Sequence, residues 1–374
     1  MEKQKICIIG GGLAGLTTAL ALSDLDVNID LVCGKMNQNL FSNRTVAVSE
    51  NNLDFFNFAK NKFWPCSKMK LFSQNKKNHF LKVFNIEKEQ KNIFYMIENS
   101  KLIKSVIKSI NEKKNISLKK NETISEIRSS GLLKTVNYKS YSSKYNLIIL
   151  CVGKNSDLVK NIFFDNSIKS SYEEVAITTI INHNSLKNDT ARQIFLDNGI
   201  FALLPLSNSK TSIVWTTNES IRKKSDLDIK KNIKFYSKNF LTKIKLANTF
   251  EVNYLNFFIR EKYYKDRILL FGDTLHVVHP FAGQGFNMIL RDLKKLKENL
   301  YDRISLGLDI GAIDFLSDFS DLLKPRNFVY SLSLDFLRNC FKLNSKPFKD
   351  FRNLVMMNLS KNKYAKNKIY DFAN

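Results

Sequence analysis

The chain has 374 residues, of which 44% are hydrophobic and 29 are Phe, and its formal net charge is +24. That length exceeds one ordinary core and suits two packed domains, and the apolar content excludes wholesale disorder. The 59 Lys and Arg are spread along the chain among many Asn, whereas a nucleic-acid binder gathers its charge on a motif; no nucleic-acid partner is expected, and the anionic partner left open is a membrane surface.

In chain order, residues 6–9 form a short apolar run that reads as a buried parallel strand. Glycines follow, then apolar residues at helical spacing over 13–22, then a second strand over 29–33, which together open a βαβ unit. Segment 70–97 alternates polar and apolar residues as a sheet does. Residues 102–110 read as a helix with Leu102, Val106 and Ile110 on one side, and 147–152 as a buried strand ending at Gly153. Segments 175–181, 201–206 and 212–217 are rich in β-branched and aromatic residues and predict an antiparallel sheet. Residues 268–271 return to a buried strand, and the last seventy or so residues read as helical. The N-terminus has the lysines and apolar stretch of a signal peptide, but Gly10, Gly11, Gly12 and Gly15 interrupt it and favour a nucleotide loop instead. No apolar run is long enough to span a bilayer. Cys7, Cys33, Cys66, Cys151 and Cys340 have neither CxxC nor metal-ligand spacing, so a reduced, intracellular protein without a metal site is expected.

Two segments carry chemistry. Gly10-x-Gly12-x-x-Gly15 follows a predicted strand and opens a predicted helix, the context a dinucleotide fingerprint requires. Gly10 permits the tight turn, Gly12 lets backbone approach a pyrophosphate, and Gly15 lets helix and strand pack closely. The helix N-terminus then offers N–H donors to the phosphates. The acidic residue that should end the second strand and hold a ribose is replaced by Cys33, with Asp30 earlier, inside the strand. The second segment is a strand ending in Gly272-Asp273, followed by His276, His279-Pro280 and a run from Ala282 through Gly283-Gln284-Gly285-Phe286 to Asn287, then Asp292. Here a carboxylate can accept from sugar-chain hydroxyls, glycines let backbone approach a flat ring, and a helix starting near Gly285 aims its N–H groups at developing negative charge.

This second segment resembles the FAD-dependent aromatic-ring hydroxylases of the para-hydroxybenzoate hydroxylase type, and most of all the ubiquinone-biosynthesis hydroxylases. Those carry Gly-Asp-Ala-Ala-His near a Pro, then Ala-Gly-Gln-Gly-x-Asn and Arg-Asp; here the run is Gly272-Asp273-Thr274-Leu275-His276, Pro280, residues 282–287 and Arg291-Asp292. Arg44-Thr45-Val46-Ala47-Val48, Asn99-Ser100-Lys101-Leu102, Tyr172-Glu173-Glu174-Val175-Ala176 and the strands with Leu203-Leu204-Pro205 and Val214-Trp215 match that family in the same order. Its Asp-Gly motif falls at Val152-Gly153, so Cys33, Lys101 and Val152 are three departures on the cofactor side.

The resemblance implies an α/β fold with a discontinuous, Rossmann-like FAD-binding domain (1–69, 98–168 and 262–310). An antiparallel β-sheet substrate domain (70–97 and 169–261) is inserted in it, and a helical region (311–374) follows. It implies hydroxylation of a polyprenylated phenol or quinone precursor by FAD and O2 through a flavin C4a-hydroperoxide, with NAD(P)H or another donor as reductant. The flavin would be held by Gly10, Gly12, Gly15, Arg44, Lys101, Gly272, Asp273, Gly283, Gln284, Gly285 and Asn287. Pro280 and Phe281 would stand beside its reactive edge, and His276 is a candidate base beside the alternative of a structural role. Leu204, Pro205 and Trp215 are candidate pocket walls, with sheet core as the alternative for each. In the tail, Phe348, Phe351, Leu354, Val355 and Leu359 recur at helical spacing among lysines, as in a helix packed on its neighbours or one that meets an anionic membrane. The expected setting is the cytoplasm or the inner face of the cytoplasmic membrane, with a ubiquinone-biosynthesis complex as partner. Two alternatives stand beside this reading: a flavin monooxygenase for a soluble aromatic, and a catalytically degenerate member that serves such a complex as a scaffold, which the three departures motivate.

Overall fold

The computed structural model describes the chain apart from residues 1–2, 35–42, 77–78, 88–90, 165–166, 248, 281–282, 344 and 374. The strand Lys5–Ile9 is apolar on both faces, so it is buried on both. It lies inside a six-stranded sheet ordered Tyr264–Lys265, Ile268–Leu270, Leu147–Leu150, Lys5–Ile9, Asn28–Cys33 and Ile116–Lys120. All pairings are parallel except that of the edge strand Tyr264–Lys265. The helices Leu13–Leu22 and Asn99–Asn111 pack together beside this sheet. The second buries Leu102, Ile103, Val106 and Ile110, whose spacing puts them on one side, and each such burial contributes about 1.5–3 kcal/mol. A three-stranded meander (Ile124–Ser130, Leu133–Tyr138, Ser142–Tyr145) packs on the sheet face that carries Cys7 and Asp30. Asp30 lies within its strand and is spent there: it accepts from the Tyr145 hydroxyl at 2.6 Å, with Lys5 and Lys119 at 3.0 and 3.1 Å.

The second sheet has nine strands among the described residues. The three predicted strands are its adjacent members Ser167–Asn182, Lys210–Asn218 and Gly199–Ser207, antiparallel to one another; one pair, Thr190–Leu196 with Lys68–Lys76, is parallel. Period-two alternation gives the sheet two apolar faces. Phe201, Leu203, Ile213 and Trp215 pack with Ile229 and Ile233 of the helix Asp226–Ser237. Ile200, Leu204 and Leu206 face the other way, into a cluster with Phe94, Met96, Met288, Tyr330 and Leu334.

Helices Gly285–Ser305, Ile313–Lys342, Lys346–Lys361 and Lys363–Ala373 complete the chain. The apolar residues predicted on one face of the tail helix divide. Leu359 packs with Met356 and Met357 on the inner cluster, whereas Phe351 and Leu354 are 63% and 58% exposed. Among the described residues no helix is long and apolar enough to cross a membrane.

Candidate active site

Because the strands Lys5–Ile9, Leu147–Leu150 and Ile268–Leu270 run parallel side by side, the glycines that follow each of them meet at one edge of the sheet. Ligands in open α/β sheets bind at that carboxyl edge. Gly10 has φ +138°, and a Cβ there would lie 2.2 Å from the Cys151 carbonyl oxygen; a Cβ on Gly15 would lie 2.1 Å from the Gly10 oxygen. Both positions therefore require glycine, and the helix Leu13–Leu22 is pinned to the strand end. Gly272, at φ +67°, brings the third strand's turn against Ala14, and the Gly153 amide donates to the Thr274 hydroxyl at 3.0 Å. The two glycine segments, 260 residues apart in sequence, share one floor.

Asp273 stands on that floor. It is exposed to the cleft, and the described residues offer its carboxylate no hydrogen bond. Dense protein around the cleft nevertheless pushes its pKa above the usual carboxylate value, with His276, Arg44 and Lys154 pulling the other way. Arg44 reaches across to the second sheet, where its guanidinium donates to Asn253 at 2.5 Å. Lys101 pairs with Glu98 at 2.7 Å, and Lys210 meets the same carboxylate at 2.9 Å. Glu98 is thereby held below the ordinary carboxylate range although burial opposes this.

The helix Gly285–Ser305 begins beside this floor, with Gly283 at φ +67° just before it. Asn287 is fully buried and spends its side chain on protein. It donates to the Ala47 carbonyl at 2.9 Å and accepts from the Ser49 amide at 2.9 Å and from Asn52 at 3.2 Å. What Asn287 can still offer a ligand is its backbone N–H, one of those a first helical turn leaves without an intrahelical partner. The buried Gln284 accepts from the Tyr330 hydroxyl at 3.0 Å, and its amide nitrogen has no partner among the described residues. Pro280 is half-buried at the end of the preceding loop, and Phe281 lies outside the described residues.

His276, the candidate base, is 2% exposed, and its Nε2 donates to Asp292 at 3.2 Å, a carboxylate that also takes Asn327 at 2.8 Å. The structure thus corrects that assignment: the imidazole joins its strand to two helices and has no open face. Trp215 and Pro205 are corrected as well. Trp215 is 1% exposed and packs with Tyr236 behind the sheet, and Pro205 alternates with Leu204 onto that same far face. Leu204 alone of the three faces the inner cluster.

Sequence reasoning missed a buried cluster beside Pro280. A bulge between Ser171 and Glu174, with Glu173 at φ +54°, turns Glu174 towards Arg338 of the long helix at 2.6 Å and towards His279 Nε2 at 3.3 Å. Arg338 also lies 4.0 Å from the centre of the Tyr172 ring. Burial would raise the Glu174 pKa, but bonds from His279 and Arg338 hold it at about 2. Burial pushes His279 down, so Arg338 carries the charge pairing and His279 is a neutral donor. Arg260, 2% exposed, is a second missed residue: its Nε donates to the Thr274 carbonyl at 3.0 Å. Glu174 and His279 stand in segments singled out in the sequence, but nothing there points to Arg338, 164 residues away, or to the contact of Arg260 with Thr274, 14 residues away. A cavity of about 1010 Å³ between Leu20, Phe55, Phe58 and Tyr301 is lined by none of these residues.

A family model for the FAD binding domain matches residues 134–305. The ubiquinone biosynthesis monooxygenases COQ6 of Dictyostelium discoideum and Caenorhabditis elegans are 27% and 26% identical to this chain. The alignments cover 74% and 90% of it and 67% and 88% of those proteins. The chain is an FAD-dependent monooxygenase homologous to the ubiquinone-biosynthesis hydroxylases. Its fold is that of p-nitrophenol 4-monooxygenase PnpA from Pseudomonas putida DLL-E4, with a TM-score of 0.77 over 100% of this chain and 99% of that one, at 16% identity. The monooxygenase's carboxyl edge fits its cofactor. Nothing lies within 4 Å of where a Gly12 Cβ would stand, the helix Leu13–Leu22 begins with no capping side chain and no acidic residue, and the Asp273 carboxylate is unspent.

Proposed function

We propose that this monooxygenase hydroxylates the aromatic ring of a polyprenylated phenol or quinone precursor in ubiquinone biosynthesis, with O2 as oxygen source and NAD(P)H or another donor as reductant. The observation that carries the reading is the meeting of the two glycine segments around an unspent Asp273, at an edge over which Arg44 reaches to the substrate sheet. In this reading residues 1–69, 98–168 and 262–310 bind FAD, 70–97 and 169–261 bind substrate, and 311–374 close the structure from the C-terminal side.

FAD, when bound and reduced, supplies the electrons and the site at which O2 is activated. The protein's part is to bind, orient and keep water out. Gly10, Gly12 and Gly15 shape the pyrophosphate cradle, and the first turn of the helix Leu13–Leu22 faces it with N–H groups. Asp273 would accept from the hydroxyls of the flavin side chain. The N–H groups of Gly285, Phe286 and Asn287 would stabilise the negative charge that the ring gains on reduction. Pro280 would flank the ring, and Leu204, packed on the inner cluster, would form part of the apolar wall. A polyprenyl tail requires a membrane nearby, and the basic C-terminal tail then meets an anionic surface, alone or within a biosynthetic complex.

The deciding experiment is mass spectrometry of quinone precursors in a strain lacking the gene. Accumulation of a precursor one hydroxyl short, restored by the wild-type chain, is expected. An unchanged ubiquinone profile would sink the proposal.

A further inference from the structure

The long helix Ile313–Lys342 is apolar on two opposite faces, and the molecule covers only one. Leu316, Phe319, Leu323, Asn327, Tyr330, Leu334, Arg338 and Phe341 recur three or four residues apart and are buried. On the other side Leu322, Val329, Leu332, Phe336 and Leu343 recur at the same spacing and are 43–67% exposed. At about 100° per residue these positions centre half a turn away from the buried row. A surface helix of a monomeric protein carries charged and polar residues there instead. Such a run of large apolar side chains is a docking surface.

Charge decides what docks. Residues 313–374 carry eleven Lys and Arg against six Asp and no Glu. Lys324, Arg326, Lys346 and Lys361 are exposed on this helix and the next, and Lys363 at the start of the one after. Arg352 caps the carbonyls of Cys340 and Phe341 at 3.1 Å each, which holds the next helix, with its exposed Phe351 and Leu354, against the end of the stripe. A second copy of this chain would bring the same excess charge, on a molecule of net +24, against its like. An anionic lipid surface attracts that charge and accepts apolar side chains at its acyl boundary.

We propose that the outer face of the helix Ile313–Lys342, continued by Phe351 and Leu354, is a membrane-docking surface that inserts its apolar stripe into an anionic bilayer while the surrounding Lys and Arg engage lipid headgroups. The surface deepens the function proposed above, since a polyprenylated substrate resides in such a bilayer, but lipid binding needs neither substrate nor turnover and is measured separately from them.

The test is flotation of the purified, FAD-loaded protein with phosphatidylcholine vesicles and with vesicles holding about one-third phosphatidylglycerol, a charge density that adds a steep attraction per basic residue. Wild-type protein is expected to partition at least about tenfold better onto the anionic vesicles and to be released by high salt. Phe336→Glu and Val329→Glu, each checked for unchanged flavin content and melting temperature, should each lose about tenfold or more in partitioning onto anionic vesicles. Equal partitioning of wild type and both variants overturns the proposal. So does a wild-type dimer that Phe336→Glu converts to monomer without any change in lipid binding, which would make the stripe a contact between copies. If either variant disturbs folding, Leu332→Ser replaces it and the same two outcomes apply.

Discussion

Asp273 and Glu174 are two carboxylates whose surroundings treat them oppositely. Glu174 is gripped by Arg338 and His279 and its pKa lies at about 2. Asp273 has no hydrogen-bonding partner among the described residues, and the surrounding protein pushes its pKa up. A carboxylate that builds the fold is paired within the fold; one that waits for a ligand weakens the empty protein until the ligand arrives. The pair therefore separates stability from binding, residue by residue.

The largest effect should come from breaking the satisfied carboxylate. Arg338→Met leaves a buried negative charge without its partner and should cost about 3–5 kcal/mol in denaturant unfolding, much of it recovered when Glu174→Gln is added. A loss under about 1 kcal/mol would mean that the pair is a surface ornament. Acid should reproduce part of this. The folded Glu174 value lies below its ordinary 4.5, so its contribution, roughly 3 kcal/mol, is complete above that pH and disappears as pH falls towards 2. Unfolding followed between pH 6 and pH 2 should show that slope in wild type and a shallower one in Glu174→Gln.

Asp273→Asn should do the reverse. A raised folded pKa means that the charged form costs the empty protein stability at neutral pH, so the apo variant should melt at the same temperature as wild type or higher. Its FAD affinity should fall about 10–100-fold, the worth of a hydrogen bond to a charged acceptor, as read by flavin fluorescence titration. A variant that loses stability and keeps FAD would erase the contrast with Glu174. Asn287→Ala sharpens it further: with its side chain already spent on Ala47, Ser49 and Asn52, it should lose about 1–3 kcal/mol of stability with a smaller proportional loss of FAD binding.

The sequence made the cofactor edge legible because its requirements are local. A positive φ at Gly10 or Gly272, or a Cβ colliding with Cys151, leaves glycine as the solution, and glycine at that spacing can be read directly. Leu102, Val106 and Ile110 were legible for the same kind of reason, since helical spacing alone puts them on one buried face. Trp215 stayed open between pocket wall and sheet core because both faces of its sheet are apolar, so alternation says that faces differ but not which one meets the site. His276 drew attention through its neighbours in sequence, while its partner Asp292 and the sharing residue Asn327 come from two later helices. Glu174 gave no sign of Arg338, because a bulge and a helix 164 residues later define that contact. The outer stripe of the long helix was hidden by its own inner row: apolar residues on both sides of a helix look in sequence like one thoroughly buried helix.

Thr274 follows Asp273 in the chain, and two different parts of the molecule hold it. Its carbonyl takes the Arg260 guanidinium from the nine-stranded sheet, and its hydroxyl takes the Gly153 amide from the neighbouring strand's loop. A ligand that draws on Asp273 therefore pulls on a joint from which the nine-stranded sheet also hangs. Linkage makes such a joint reciprocal: whatever free energy cofactor loading contributes to ordering the strand Glu251–Arg260, a substrate that orders that strand returns to cofactor retention. Amide exchange along Glu251–Arg260 is the natural gauge of that exchange, slower with flavin present and slower again with substrate beside it.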